Sequence, residues 1–306
     1  SNSDVDSSTA ESEAPPTSCI ATAIVGLLLV ISFILCFITQ SLVALLTCPL
    51  LCCRTGRELF YHVQSYILRS INALLGVALN PFWSVHLLEI EEDNDSRKTG
   101  MGSIFFSNHR SNADPFAVAW LQLAKCIEAR YVYKGSLAKV PCIGCSLKLG
   151  GDLGAHFGDK ERISQMIEQA KDLLSTGHNI VVFPEGTRSP SGLLQDFKPK
   201  FFEICAELGC PAVAVCLLGT ERAWPQGGLK VGCARITAVL SKPILPDETG
   251  SEGLRRKVRE TMQECARHAL EAGEVDEDDP FFTGKPYSWW SVPEELQHLS
   301  EEERIQ

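Results

Sequence analysis

Charged side chains are missing altogether between Glu13 and Arg54. A helix with one face in water needs polar residues on that face, so this absence excludes an ordinary surface segment. Other absences narrow the chemistry. No GxSxG sequence occurs, which excludes the strained serine elbow of a covalent acyl-enzyme route. Neither a GxxxxGK[ST] loop nor a GxGxxG fingerprint is present, so the phosphate cradles of nucleotide-dependent enzymes are lacking. Internal repeats are absent too. Basic character is scarce: the net charge is −10, which gives a nucleic-acid partner no support.

That acidity is confined to the ends. Residues 1–18 carry −4 and residues 271–306 carry −9, which leaves +3 for residues 19–270. A mildly basic body suits anionic lipid or phosphate ligands. The chain has 13 cysteines, an odd number and scattered, several of them in or beside the apolar segment. This pattern reads as reduced, small apolar residues facing cytosol or lipid. Cys142 and Cys145 make the one CxxC, without the second ligand pair of a structural zinc, and read as packing residues.

The uncharged stretch contains Ile20 to Thr39, apolar except for Thr22, Ser32 and Thr39. About 20 such residues cross a bilayer. After Thr39, Gln40 and Ser41, "LVALLTCPLLCC" is too short for a second crossing and contains Pro49, so it reads as an interfacial or re-entrant continuation. A single crossing and a shallow hairpin both satisfy the pattern. Arg54, Arg57 and Arg69 follow the segment while acids precede it, which places the body in the cytosol. No basic region precedes the run, so it is expected to be an anchor and not a cleaved signal. A sequon at Asn94 would be usable only on a lumenal face. Cys52 and Cys53 read equally as acylation sites or as membrane-edge fillers.

The remainder alternates strand and helix patterns, from a helix over 56–79 and a strand over 82–91 to a final helix over 251–270. The expected fold class is α/β, a mostly parallel or mixed central sheet flanked by helices and preceded by an N-terminal membrane-anchoring helix or helical hairpin. Four regions follow: an acidic N-terminus (1–18), the anchor (19–53), the main domain (54–270) and an acidic, aromatic tail (271–306). The tail's Phe281, Phe282, Tyr287, Trp289 and Trp290 either dock on the body or touch lipid.

Two motifs sit where strands end and helices begin, the places at which α/β sheets bind ligands. In "NHRSNAD", His109 follows a strand and Asp114 opens a helix through Pro115. If the turn between them folds tightly, Asp114 fixes the imidazole tautomer and leaves the other nitrogen as a base. The plainer alternative is a helix cap beside a polar turn. In "FPEGTR", Gly186 permits close backbone approach, Thr187 offers a hydroxyl, Arg188 offers a planar fork suited to phosphate, and Glu185 is expected to neutralise and aim Arg188. A turn with a surface ion pair is the alternative there.

Together, "NHRSNAD" and "FPEGTR" resemble the glycerolipid acyltransferase family, most closely its 1-acyl-sn-glycerol-3-phosphate acyltransferases, over roughly residues 82–246. The resemblance implies direct acyl transfer from acyl-CoA, a co-substrate, to the free hydroxyl of lysophosphatidate. It implies His109 and Asp114 as base and partner, with Glu185, Gly186, Thr187 and Arg188 around the acceptor's phosphate and Lys134 as a second phosphate contact. The alternatives are an acyltransferase or transacylase acting on another lysophospholipid or glycerol-3-phosphate, and a non-catalytic membrane scaffold of the same fold. No cofactor or metal is expected. Partners would be membrane lipid, a lysophospholipid acceptor and acyl-CoA, at the endoplasmic reticulum or another internal membrane with the catalytic domain facing the cytosol. The chain departs from the family pattern at His156 and Arg162, at Ala214 and at Lys200.

Overall fold

A computed structural model describes residues 19–79, 82–90, 100–224 and 231–284. The sequon at Asn94, the acidic N-terminus and the tail aromatics Tyr287, Trp289 and Trp290 lie outside the described residues. In chain order the elements are α1 (Cys19–Thr47), α2 (Arg54–Leu79), β1 (Trp83–Glu89), β2 (Ile104–Ser107), α3 (Asp114–Ala124), β3 (Ala129–Lys134), α4 (Ile143–Leu149), β4 (Leu153–Ala155), α5 (Lys160–Ser175), β5 (Asn179–Val182), α6 (Lys200–Leu208), β6 (Ala212–Leu218), α7 (Thr220–Ala223), β7 (Ala234–Leu240), α8 (Gly250–Glu271) and α9 (Pro280–Thr283).

Seven strands form one sheet in the order β1-β7-β6-β2-β5-β3-β4. All neighbours pair in parallel except β6 and β7. The sheet is therefore mixed and flanked by helices, as the alternating pattern predicts. Strand periodicity divides the side chains between two cores. Ile104 and Phe106 of β2 face Met166, Phe202 and Val258 of α5, α6 and α8. Phe105, between them, faces the opposite core with Leu79, Val118 and Leu121 of α2 and α3. Each large aliphatic or aromatic side chain buried this way contributes about 1.5–3 kcal/mol. Such strands are apolar on both faces because helices cover both, which explains their unbroken hydrophobic runs.

The apolar helix is longer than the sequence suggests. Thr39, Gln40 and Ser41 do not interrupt α1, because Gln40 is buried and its amide donates to the carbonyls of Gln64 (3.1 Å) and Ser146 (3.3 Å). The break comes in a 3-10 turn over Cys48–Cys52, with Pro49 at its start, after which the chain reverses into α2. The result is a helical hairpin. Val25, Leu29, Ser32, Cys36 and Gln40, at helical spacing, face the protein, while Leu27, Ile31, Ile34, Leu35, Ile38, Leu42 and Leu45 are exposed. Near one end of α1, Thr22 meets Val231, and farther along Gln40 meets Ser146. These contacts are separated by about 27 Å of helix at 1.5 Å per residue. The helix therefore lies along the flank of the α/β body with an uncharged, apolar outer face.

The second arm, α2, is fastened by buried polar contacts. Arg69 pairs with Asp152 and donates to the carbonyl of Ala129 (3.1 Å). Its guanidinium also lies 4.5 Å from the Tyr131 ring centre. Arg130 reaches the carbonyls of Tyr61 (3.2 Å) and Gly150 (2.6 Å). The described cysteines are free thiols, including Cys142 and Cys145.

Candidate active site

The strands β6, β2, β5, β3 and β4 are mutually parallel, so their C-terminal ends share one edge of the sheet. Along it follow, in spatial order, the Thr220–Glu221 turn, His109, the Phe183–Arg188 turn, Lys134 and His156. The sequence motifs thus meet by topology.

The turn after β2 is closed by one carboxylate. Asp114 is fully buried, and its Oδ2 accepts the backbone N–H groups of Arg110 and Ser111, each at 2.7 Å. The same oxygen lies 2.7 Å from His109 Nδ1. Asp114 therefore organises the turn before its helix as well as the imidazole. A carboxylate receiving two backbone N–H bonds is the acceptor for an Nδ1–H donor, which leaves Nε2 with the basic lone pair. The side chain of His109 is 20% exposed, enough for a reactant to reach. Asn108 locks the strand end below it by exchanging hydrogen bonds with the backbone of Leu217 (2.8 and 2.7 Å).

The second motif holds the first. The Phe183 ring stacks on the His109 ring with centroids 4.4 Å apart. Glu185 is 2% exposed; its Oε1 accepts the backbone N–H of His109 (2.7 Å) and its Oε2 that of Gln195 (3.1 Å). This corrects the expectation that Glu185 neutralises Arg188. Buried behind the histidine, the carboxyl finds backbone donors, and Arg188 turns instead to the Asn112 side-chain oxygen (2.9 Å). Glu185 thus belongs to the scaffold behind His109 and not to the exposed part of the turn at Gly186 and Thr187. Gly186 and Thr187 are exposed, Arg188 is half-buried and Lys134 is exposed at the end of β3. Gly186 has φ +73°, a left-handed conformation that disfavours residues with a Cβ. Two strand spacings separate Lys134 from His109, about 10 Å across the sheet. At the end of β4, Arg162 reaches the His156 ring (3.5 Å), so cationic character continues along the edge.

Burial pushes the Glu185 carboxyl up to about 8, partly opposed by its two backbone N–H donors. An unfolded chain would release this proton near 4.5. Between those values the folded state binds the extra proton, so raising the pH from about 4.5 to 8 weakens the fold. Denaturant midpoints of detergent-solubilised protein should fall across this window. Glu185→Gln should be less stable at low pH, because its NH₂ group faces a backbone donor, but should lose most of the slope. Glu221, raised to about 7 chiefly by burial, keeps a smaller slope of its own. An unchanged slope in Glu185→Gln would contradict this assignment.

Sequence reasoning missed Arg110, which lies inside the first motif yet is buried against Glu221 (3.2 Å) and Asp279 (2.8 Å). Backbone amides near the start of a helix are also the usual place to look for oxyanion donors. The N–H groups of Arg110 and Ser111 serve Asp114, and that of Ala113 donates to Ser111 Oγ (3.0 Å), so these three are already engaged.

The family model described as Acyltransferase matches residues 89–218, the span that holds His109, Asp114, Lys134 and Arg188. A chloroplastic 1-acyl-sn-glycerol-3-phosphate acyltransferase of Arabidopsis thaliana is 27% identical over 61% of this chain and 49% of its own length. A 1-acyl-sn-glycerol-3-phosphate acyltransferase alpha of Homo sapiens is 26% identical over 52% of this chain and 56% of its own. The chain spans about half the length of the curated relatives it matches. The crystal structure of the 1-acyl-sn-glycerophosphate acyltransferase PlsC from Thermotoga maritima shares the fold, with TM-score 0.55 and 19% identity over 78% of this chain and 95% of that one. Both motifs thus meet at one sheet edge inside the span, residues 89–218, that the Acyltransferase family model matches.

Proposed function

We propose that the protein is a membrane-bound O-acyltransferase that moves a fatty acyl group from acyl-CoA to the free hydroxyl of lysophosphatidate, giving phosphatidate. The observation that carries this reading is the contact of His109 Nδ1 with the buried Asp114 carboxylate, beside a turn that presents Thr187 and Arg188. In the reaction, His109 Nε2 takes the proton of the acceptor hydroxyl as its oxygen attacks the thioester carbon. Collapse of the tetrahedral intermediate breaks the carbon–sulfur bond, and the imidazolium returns the proton to the leaving thiolate. Asp114 favours the transient imidazolium by its negative charge. Arg188, Thr187 and Lys134 hold the acceptor's phosphate, Arg188 through a planar fork.

The hairpin supports the choice of an amphiphilic acceptor. With α1 along the flank and its outer face apolar, in-plane anchoring lets the body rest on one leaflet, where a lysolipid keeps its acyl chain. The soluble thioester then arrives from the water, which we place on the cytosolic side of an internal membrane such as the endoplasmic reticulum.

Purified protein supplied with a labelled acyl-CoA and a panel of lysophosphatidate, glycerol-3-phosphate and lysophosphatidylcholine tests the assignment. Phosphatidate should be the dominant product. Preferential acylation of lysophosphatidylcholine would refute the phosphate-gripping role, and inertness toward every acceptor would refute the activity.

A further inference from the structure

At the sheet edge opposite His109, three side chains from separate stretches of sequence converge. His62 stands on α2, Glu128 precedes β3 and His178 precedes β5. The His62 Nδ1 atom lies 2.8 Å from Glu128 Oε2. The rings of His62 and His178 are 6.3 Å apart at their centroids, tilted by 44°. One donor atom from each of the three residues lies within 4.8 Å of the others. A hydrogen bond between His62 and Glu128 accounts for two of these side chains, but not for the convergence of His178 from a different strand.

We propose that His62, Glu128 and His178 form a divalent-metal site of the zinc type, which clamps α2 to the beginnings of β3 and β5. Two imidazoles and one carboxylate suit zinc, cobalt or nickel, whereas calcium and magnesium require oxygen ligands throughout. Tetrahedral coordination at 2.0–2.2 Å places donors about 3.4 Å apart, with water in the fourth position. Side-chain rotation covers the difference, since the His62 side chain is 53% exposed.

The surroundings are built to hold the ligands. Across the paired strands, Asn179 Nδ2 donates to the Glu128 carbonyl (2.9 Å), while the His178 N–H donates to Leu173 (2.9 Å). Arg130 ties α2 through the Tyr61 carbonyl, and its NH2 group lies 3.1 Å from Glu128 Oε1. That contact orients the carboxylate and leaves Oε2 for the ion, the supporting arrangement that ligating carboxylates commonly have. Glu58 acts on His178 with charge of the same sign as Glu128, and Arg130 opposes both. From His178 to Phe183 the strand covers about 17 Å, too far for the ion to touch the acyl-transfer chemistry. Its role would be to fasten the second arm of the anchor to the body.

The test uses the full chain in detergent, stripped with a chelator and dialysed free of it, then titrated with Co²⁺ while absorption is recorded, and with Zn²⁺ in competition. One ion per chain should bind, with ligand-field bands of a four-coordinate nitrogen and oxygen site and no intense thiolate charge-transfer band. His178→Ala and His62→Ala should each weaken binding by at least about 100-fold, beyond the usual effect of losing a supporting contact. Glu128→Gln, which retains the shape of the side chain, guards against a folding defect and should weaken binding likewise. Saturating Zn²⁺ should raise the melting temperature of the wild type and not of the variants. Absence of saturable binding would overturn the proposal. So would one-to-one binding that carries thiolate bands, which would place the ion on cysteines, or that persists in His178→Ala, which would place it away from this cluster.

Discussion

Replacing His109 with alanine should lower kcat for acyl transfer by about 10²- to 10⁴-fold, the usual contribution of a positioned base. KM for both substrates should change little, because in the proposed mechanism the side chain acts on a proton and not on the phosphate. Stability should also change little, as the ring is partly exposed and makes one side-chain hydrogen bond. Asp114 should behave differently. Three donors converge on its Oδ2, so Asp114→Ala removes the imidazole's orienting group and leaves two buried backbone N–H groups without an acceptor. Each unsatisfied group costs about 1–3 kcal/mol. Asp114→Ala should therefore lose activity and melt earlier, whereas Asp114→Asn, whose amide oxygen can occupy the same place, should retain more of both. Initial rates against acyl-CoA and acceptor concentration, alongside thermal melts, separate these outcomes. A His109→Ala enzyme within a few fold of wild type would exclude the histidine as base.

The pairing of His109 with Asp114 was legible because both residues lie in one short motif, and the six-residue turn between strand and helix has few ways to close. The sequence alone could not reveal what closes it, since the Asp114 carboxylate finds the Arg110 and Ser111 amides only once the turn has formed. Strand and helix patterns were legible wherever both faces of a strand are covered, as in "ARITAVL", or a helix buries one stripe, as in Lys160 to Leu174. The polar trio at 39–41 misled because burial of Gln40 depends on Gln64 and Ser146, which belong to other helices. Glu185 misled for a related reason. Its neighbour in sequence is Arg188, but its partners are the amides of His109 and Gln195. The "FPEGTR" turn consequently reads as two parts, an exposed portion at Gly186 and Thr187 and a buried acid that holds the backbone of His109. Lys200 replaces a frequent glycine of the family, yet it opens α6 at the surface and pairs with Glu203 (2.9 Å), so the change stays outside the turn.

Asp279→Ala should destabilise the protein by about 3–5 kcal/mol and disable transfer as well, although the residue lies far beyond the matched acyltransferase span. Its Oδ1 lies 2.8 Å from Arg110 NH2, across a separation of 169 residues. Arg110 is 1% exposed and shares its guanidinium with Glu221, while the Phe281 ring lies 5.8 Å away. Asp279 also caps α9 by accepting the Phe281 N–H (2.8 Å), and Pro280 packs so closely on Gly192 that any Cβ there would collide. The segment after α8 is thereby seated on the loop that carries His109, since Arg110 follows His109 and its amide holds Asp114. Removing Asp279 leaves a buried guanidinium with less compensating charge, and loss of one partner from such a pair is far more costly than replacement of both by apolar groups. The double variant Arg110→Met, Asp279→Leu should consequently be less destabilised than the sum of the single changes, giving a coupling energy of about 1–3 kcal/mol. Denaturant unfolding of the four proteins measures that coupling. Strict additivity would show that Asp279 acts only as the cap of α9, and full activity in Asp279→Ala would separate the C-terminal segment from the positioning of His109.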